Sequence, residues 1–223
     1  MKKVKRVTVR EGYDLWSESY DATPNPVVAM DARHTLSLLQ PQQGERILDA
    51  GCGTGRNLYG LTKAGSRAVG LDFSLGMLRV ARRNVPTAPV LQADLQQQFP
   101  LQPESFDAVL CALIGEHLDD LPTTFSQTHK TLKPGGRYVF SVYHPELAAA
   151  GKEANFEQED TEYRLGAVRH TTDDYLNLLS DAGFTNISKR EYYGDEELVK
   201  AVPKAVKFLN FPVLLTIEAR KVT

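Results

Sequence analysis

Three glycines at alternate positions, Gly51, Gly53 and Gly55, follow the apolar run Arg46-Ile47-Leu48-Asp49-Ala50 and lead into a helical pattern that begins at Arg56. Glycine reaches backbone angles closed to other residues and has no Cβ, so such a turn lets the main chain bend sharply and touch a ligand. The helix that follows offers free N–H groups at its start. Strand, glycine turn and helix together make a site for a nucleotide-type cofactor at the carboxyl end of a sheet strand. Two acids fall at equivalent places downstream: Asp72 ends Ala68-Val69-Gly70-Leu71, and Asp94 follows Pro89-Val90-Leu91-Gln92-Ala93. A carboxylate in the first of those places can accept from both hydroxyls of a ribose. His117 and His144 stand past two further apolar stretches and face the same end of the sheet, where an imidazole can take a proton from a substrate.

Two phosphate motifs fail at this turn. A dinucleotide fingerprint needs a third glycine where Arg56 stands, and a P-loop needs Gly-Lys-Ser/Thr where Gly60 is followed by Leu61 and Thr62. Both observations count against NAD and nucleoside triphosphates without naming the ligand.

Positioning these residues takes alternating strands and helices. The spacing of Tyr13, Trp16 and Tyr20, then of Val27, Met30, His34 and Leu38, predicts two helices separated by Thr23-Pro24-Asn25-Pro26. The aromatic first helix either packs on the domain or closes over a ligand. After the glycine turn, Leu58, Leu61 and Ala64 mark a helix ended by Gly65; Ser74 caps another carrying Leu75, Leu78, Ala81 and Val85. A fourth strand runs from Ser105 to Ile114 and a fifth from Arg137 to Tyr143, with a helix through Phe125, His129 and Leu132 stopped by Lys133-Pro134-Gly135-Gly136. Residues 146–170 are polar and aperiodic, a surface excursion able to act as a lid. A capping box at Thr171-Thr172-Asp173-Asp174 starts the next helix. Two last strands, Phe184 to Tyr192 and Phe211 to Arg220, flank Gly194 to Leu209, a short helix or loop. The pattern implies an α/β fold with a mostly parallel sheet covered by helices on both faces. A single domain is expected, with residues 1–40 as basic arm and helical cap and 41–223 as the ligand-binding body.

Composition agrees with a globular protein: 223 residues, 42% hydrophobic, 24% charged, net charge −2. These values exclude disordered, collagen-like and membrane classes. The basic start Lys2-Lys3-Val4-Lys5-Arg6 reaches no apolar signal core, and the longest apolar run, Ala108 to Ile114, is too short for a membrane span, so the expected compartment is the cytoplasm. The slightly acidic balance argues against a nucleic-acid partner. The basic start reads as a solvated, frayed terminus, with a phosphate-contacting arm as the alternative. Cys52 and Cys111 have no metal-ligand spacing and read as packing residues, and no metal is expected.

Ile47-Leu48-Asp49-Ala50-Gly51-Cys52-Gly53-Thr54-Gly55 resembles motif I of the class I S-adenosylmethionine-dependent methyltransferases. Gly70-Leu71-Asp72-Phe73-Ser74 with Met77-Leu78, then Gln92-Ala93-Asp94-Leu95, Phe106-Asp107-Ala108-Val109 and Leu132-Lys133-Pro134-Gly135-Gly136 are similar to that family's later motifs, in family order. Tyr13-Asp14-Leu15-Trp16 through Ser19-Tyr20-Asp21 resembles the N-terminal helix of the small-molecule branch related to ubiquinone and menaquinone methyltransferases. The resemblance implies a Rossmann-like, doubly wound, seven-stranded sheet whose last strand is antiparallel, with an N-terminal helical cap. It implies S-adenosyl-L-methionine as cofactor and S-adenosyl-L-homocysteine as product. Gly51, Gly53 and Gly55 would line the methionyl end and Asp49 would steady the loop or the amino group. Asp72 would take the ribose hydroxyls, Phe73 and Met77 would flank the adenine or ribose, and Asp94 with Leu95 would hold the adenine. Tyr20 and Arg33 are the implied partners of the cofactor carboxylate. Tyr13, Trp16 and Tyr20 offer aromatic faces to the sulfonium. The implied activity is methyl transfer to a small-molecule acceptor by in-line displacement, with His117 and His144 as the catalytic candidates. Nucleic-acid methyltransferases carry Asn/Asp-Pro-Pro-Tyr/Phe or Pro-Cys motifs; the place after the fourth strand here reads Cys111-Ala112-Leu113-Ile114. A non-catalytic protein that keeps the cofactor site and an NAD-dependent oxidoreductase are the alternatives.

Overall fold

The computed structural model describes residues 3–222. In chain order the elements are β1 (Lys3–Arg6), α1 (Val9–Trp16), α2 (Pro26–Leu39), β2 (Arg46–Ala50), α3 (Arg56–Lys63), β3 (Arg67–Asp72), α4 (Leu75–Asn84), β4 (Val90–Gln92), β5 (Phe106–Ala112), α5 (Leu121–Thr131) and β6 (Leu132–Tyr143). They continue with α6 (Pro145–Ala149), β7 (Asn155–Gln158), β8 (Thr161–Arg164), α7 (Thr172–Asp181), β9 (Phe184–Tyr193), α8 (Glu196–Ala201) and β10 (Pro212–Lys221).

Seven strands form one sheet in the order β4-β3-β2-β5-β6-β10-β9. β10 is antiparallel to both neighbours and the other pairings are parallel, as the resemblance implies. Strands β2 and β5 are buried along nearly their whole length because both faces are covered, and β2 carries the buried Asp49 among its apolar residues. Neighbours in β2 point opposite ways. Leu48 joins Val109, Phe125, Tyr138, Phe140 and Tyr175 on one side, while Ile47 joins Leu58, Leu61, Leu78 and Leu110 on the other. From β2 the chain winds outward through β3 to β4, then crosses back to β5 on the other side. The strand order therefore reverses between β2 and β5, and a crevice opens there at the carboxyl ends.

The helix starts follow their local sequence. Asn25 and Pro26 start α2, Ser74 caps α4, Asp120 with Pro122 starts α5, and Thr171 and Asp174 form the capping box of α7. The helix α1 begins earlier than its aromatic spacing predicts, at Val9 behind the Thr8 cap, and ends at Trp16. Tyr20 thus lies on the turns that follow. Strand β6 starts earlier than expected, because Leu132 pairs with Phe106 before the Pro-Gly-Gly segment bulges out of register.

The basic start is a correction. Lys3–Arg6 is not a frayed end but a strand, paired in parallel with β8 in a second sheet of order β1-β8-β7. Its charges are engaged locally, Lys5 with Glu11 and Arg6 with Glu153. Lys2, the first residue of that basic run, lies outside the described residues. The excursion over 146–170 is correspondingly ordered as α6 and the β7-β8 hairpin. Phe156 on β7 stacks between Trp16 and Tyr163 at 5.0 Å from each. Gly12 lies so close over Leu165 that a Cβ there would come within 2.5 Å of its Cγ. Helix α1 and the hairpin therefore form one cap, and the cap extends beyond residues 1–40. Among the described residues no helix is long and apolar enough to cross a membrane.

Candidate active site

The loops at the carboxyl ends of β2, β3 and β5, roofed by α1, enclose a cavity of about 860 Å³ including its mouth. Its floor is the glycine turn after β2. Gly51, Gly53 and Gly55 have φ of +83°, +52° and +88°, each for a different reason. A Cβ on Gly51 would come within 2.6 Å of Ile114 Cγ2, and one on Gly55, the residue before α3, would press on Ala81 of α4. A Cβ on Gly53 would meet no protein atom within 4 Å, so only there does the missing side chain leave a cradle open to the cavity.

Asp72 at the end of β3 ties this floor together. Its Oδ2 accepts from Gly53 N–H at 2.9 Å and its Oδ1 from Ser74 N–H at 2.9 Å, leaving one acceptor direction on each oxygen. Burial lifts its carboxyl to about 6 although those N–H groups pull the other way. Asp49, two residues before Gly51, is fully buried, and neither of its oxygens has a hydrogen-bond partner. Burial raises it to about 7, while the nearby Arg56 charge opposes the rise. A buried carboxylate without partners is costly, and a cationic group at the turn would relieve it.

Phe73, Met77, Asp94 and Leu95 line the far side. Arg10, outside the lining, links two of them, its guanidinium 5.3 Å from the Phe73 ring and 3.8 Å from Asp94 Oδ2. Helix α1 is held over the cavity by Asp14, whose Oδ1 accepts from Ser74 Oγ at 2.6 Å and from Gly76 N–H at 2.8 Å.

The wall beneath α1 is the short 3-10 turn Gly115–His117 after β5. His117 lines the cavity, its Nε2 2.9 Å from Tyr13 Oη. Burial lowers its pKa to about 4, so the ring is neutral near pH 7. The neighbouring Glu116 is buried, with Oε2 unpartnered, and burial raises it to about 7. Its Oε1 lies 3.9 Å from His117 Nε2, and with the ring uncharged this is no ion pair. Sequence spacing missed Glu116, because next to a histidine on a loop an acid has no pattern to mark it.

The predicted residues divide. Tyr20, Gly51, Gly53, Asp72, Phe73, Met77, Asp94, Leu95 and His117 line the cavity, with Asp49 and Gly55 supporting the turn from outside the lining. Arg33 does not join them. It forks onto Asp195 at 2.6 Å and Glu197 at 3.0 Å, fastening α2 to α8. The cation facing the cavity is Arg56, set by Asp31 at 2.5 Å, whose other oxygen is held by Thr35 and Ser141. His144 is also elsewhere: it is buried ahead of α6, its Nδ1 accepting from Glu146 N–H and its Nε2 3.9 Å from Glu191.

Residues 48–140 match the family described as "Methyltransferase domain". A demethylmenaquinone methyltransferase of Streptomyces avermitilis is 31% identical over 162 residues, covering 70% of this chain and 67% of that protein. The biotin biosynthesis bifunctional protein BioHC of Saccharophagus degradans is 33% identical over 174 residues, 76% of this chain. The chain spans 31% of that protein's length. The crystal structure of an S-adenosylmethionine-dependent methyltransferase from Mesorhizobium loti superposes with a TM-score of 0.69 at 27% identity, covering 83% of this chain and 95% of that one.

Proposed function

The chain belongs to the class I S-adenosylmethionine-dependent methyltransferases, and from that premise we propose that it holds its cofactor in the cavity under α1 and methylates a small-molecule acceptor. The carrying observation is the pairing of an open glycine cradle at Gly53 with the cavity-lining carboxylate of Asp72 that accepts from its N–H. The residues fit S-adenosyl-L-methionine: Gly53 admits backbone approach and Asp72, which lines the cavity, retains acceptor directions for a diol, while Asp49, buried outside the lining with Arg56 nearby, supports the turn. Arg56, in place of the expected Arg33, is the cation available for the carboxylate. Phe73, Met77, Asp94 and Leu95 would enclose the adenosine. When bound, the cofactor supplies a methyl carbon already activated by its sulfonium.

The chain's own task is then to orient the acceptor and exclude water, which contributes on the order of 7–11 kcal/mol in favourable cases. Tyr13 and Tyr20 line the cavity, and an aromatic face offered to a sulfonium contributes roughly 0.5–2 kcal/mol. Neutral His117 lines this cavity with Nε2 against Tyr13 Oη; its pKa of about 4 makes it a weak base, so its part is to position an attacking oxygen or nitrogen by hydrogen bonding through Tyr13. The two curated relatives bear names from quinone and biotin biosynthesis, so relatedness selects no acceptor. Calorimetry with S-adenosyl-L-homocysteine tests the cofactor reading, and micromolar binding is expected. No heat with that ligand, together with thermal protection by NAD, overturns it in favour of an oxidoreductase. Binding without turnover across acceptors would leave a non-catalytic cofactor-binding protein.

A further inference from the structure

A second chamber, about 1000 Å³ including its opening, adjoins the first. Tyr13, Tyr20 and Leu113 line both, so these side chains form the partition. Consecutive residues of the 3-10 turn serve different rooms: His117 lines the cofactor cavity and Glu116 the second chamber. The body of this chamber is apolar and aromatic, with Trp16, Val27, Tyr143, Leu147 and Phe208. Its charges are asymmetric. Glu116 lies at the buried end, 8% exposed, with Oε2 unpartnered. Lys152, Lys204 and Lys207 are exposed at the rim. The other acid in the lining, Glu153, is engaged by Arg6 at 3.2 Å and Arg164 at 3.8 Å, so it does not neutralise the lysines.

We propose that this chamber binds an acceptor with three parts: an inner hydroxyl or amine that donates to Glu116, a flat or apolar middle, and an anionic outer end held by Lys204 and Lys207. An unpartnered carboxylate oxygen in an apolar chamber calls for a donor, and a methyl acceptor carries one on the atom to be methylated or beside it. Lysines collected on one rim attract an anion without fixing its geometry, which suits a carboxylate or a phosphate equally. This reading rests on the methyltransferase assignment, but the chamber can be tested separately from the cofactor.

The probes are 4-hydroxyphenylacetate, its uncharged amide and 4-hydroxyphenyl phosphate. Binding is measured by ligand-observed NMR on the full chain saturated with S-adenosyl-L-homocysteine. At least one anionic probe is expected to bind, with the amide at least tenfold weaker, and the preferred anion identifies the outer group. The double variant Lys204→Ala/Lys207→Ala should weaken that probe at least tenfold and Lys204→Arg/Lys207→Arg should restore it, both with unchanged affinity for S-adenosyl-L-homocysteine. Glu116→Gln should weaken the anion and the amide alike. Equal binding of amide and anion, no effect of the lysine variants, or no binding by any probe overturns the proposal. Failure of S-adenosyl-L-homocysteine itself to bind would instead strike the methyltransferase assignment.

Discussion

Gly53 N–H donates to Asp72 Oδ2 at 2.9 Å, so the turn after β2 and the end of β3 are one hydrogen-bonded unit. The acid that orders the turn is thus the acid assigned to the ribose. Asp72→Asn should lower S-adenosyl-L-homocysteine affinity by about 100-fold, since hydrogen bonds to a charged group contribute about 1.5–3 kcal/mol each. Because burial lifts Asp72 to about 6, affinity should also fall as pH drops from 7.5 to 5 and the carboxylate is protonated. Titration calorimetry across that range checks both, and a flat profile would remove Asp72 from the ligand.

Burial of charge predicts how stability varies with pH. Asp49 and Glu116 sit at about 7, far above an unfolded carboxyl near ~4. The folded state therefore holds their protons longer, and the stability they contribute is present below pH ~4 and lost as pH rises through 7. His117 runs the other way: lowered to about 4 by burial, it contributes stability above pH ~6.5 that is lost as pH falls toward 4. Between pH 6.5 and 8 only the two acids titrate in this set. The ligand-free protein should melt lower at pH 8 than at 6.5, by about 1 kcal/mol for each acid. Asp49→Asn or Glu116→Gln should flatten that slope. Scanning calorimetry on the three proteins decides it, and a slope unchanged in both variants would contradict their burial as charged groups.

Much of the floor was legible because it is local. A glycine turn, an N-cap serine and acids ending apolar strands are each marked by their immediate neighbours. Ser74 Oγ accepts from Met77 N–H three residues on and Asp72 Oδ1 from Ser74 N–H two residues on, while the bond from Gly53 to Asp72 spans nineteen positions and joins two such marked places. The roof was not. The β1 to β8 pairing joins Lys3 to Thr161 across most of the chain, and four-residue strands carry too few alternations to register as a period. Arg33 and Arg56 differ in role because of acids distant in sequence, Asp195 for one and the buried Asp31 for the other. His144 was placed by topology at a strand end, correctly as to the end, but its ring turned to cap α6.

Asp14 lines neither chamber, yet it carries the link between roof and floor through Ser74 Oγ and Gly76 N–H. Asp14→Ala removes an acceptor at the start of α4, a loss of about 0.5–2 kcal/mol. The melting temperature should fall by about 2–4 °C per kcal/mol. S-adenosyl-L-homocysteine should dissociate faster, since α1 loses its anchor. Stopped-flow dissociation beside thermal melting separates the effects; lower stability with an unchanged off-rate would mean that α1 does not gate the cavity.

The glycine turn allows a sharper separation of folding from binding. Both Gly51 and Gly53 have positive φ, so an alanine at either strains the backbone by roughly 1–2 kcal/mol. At Gly51 the new methyl also meets Ile114 Cγ2 within 2.6 Å, adding an overpacking cost of about 1–3 kcal/mol. At Gly53 it meets no protein atom and projects where the ligand's backbone contact belongs. Gly51→Ala should therefore have the larger drop in melting temperature. Gly53→Ala should fold with the smaller drop and bind S-adenosyl-L-homocysteine at least tenfold more weakly. Melting curves with and without ligand measure both quantities in one experiment. Full ligand stabilisation of Gly53→Ala would show that the open cradle is not where the cofactor lies.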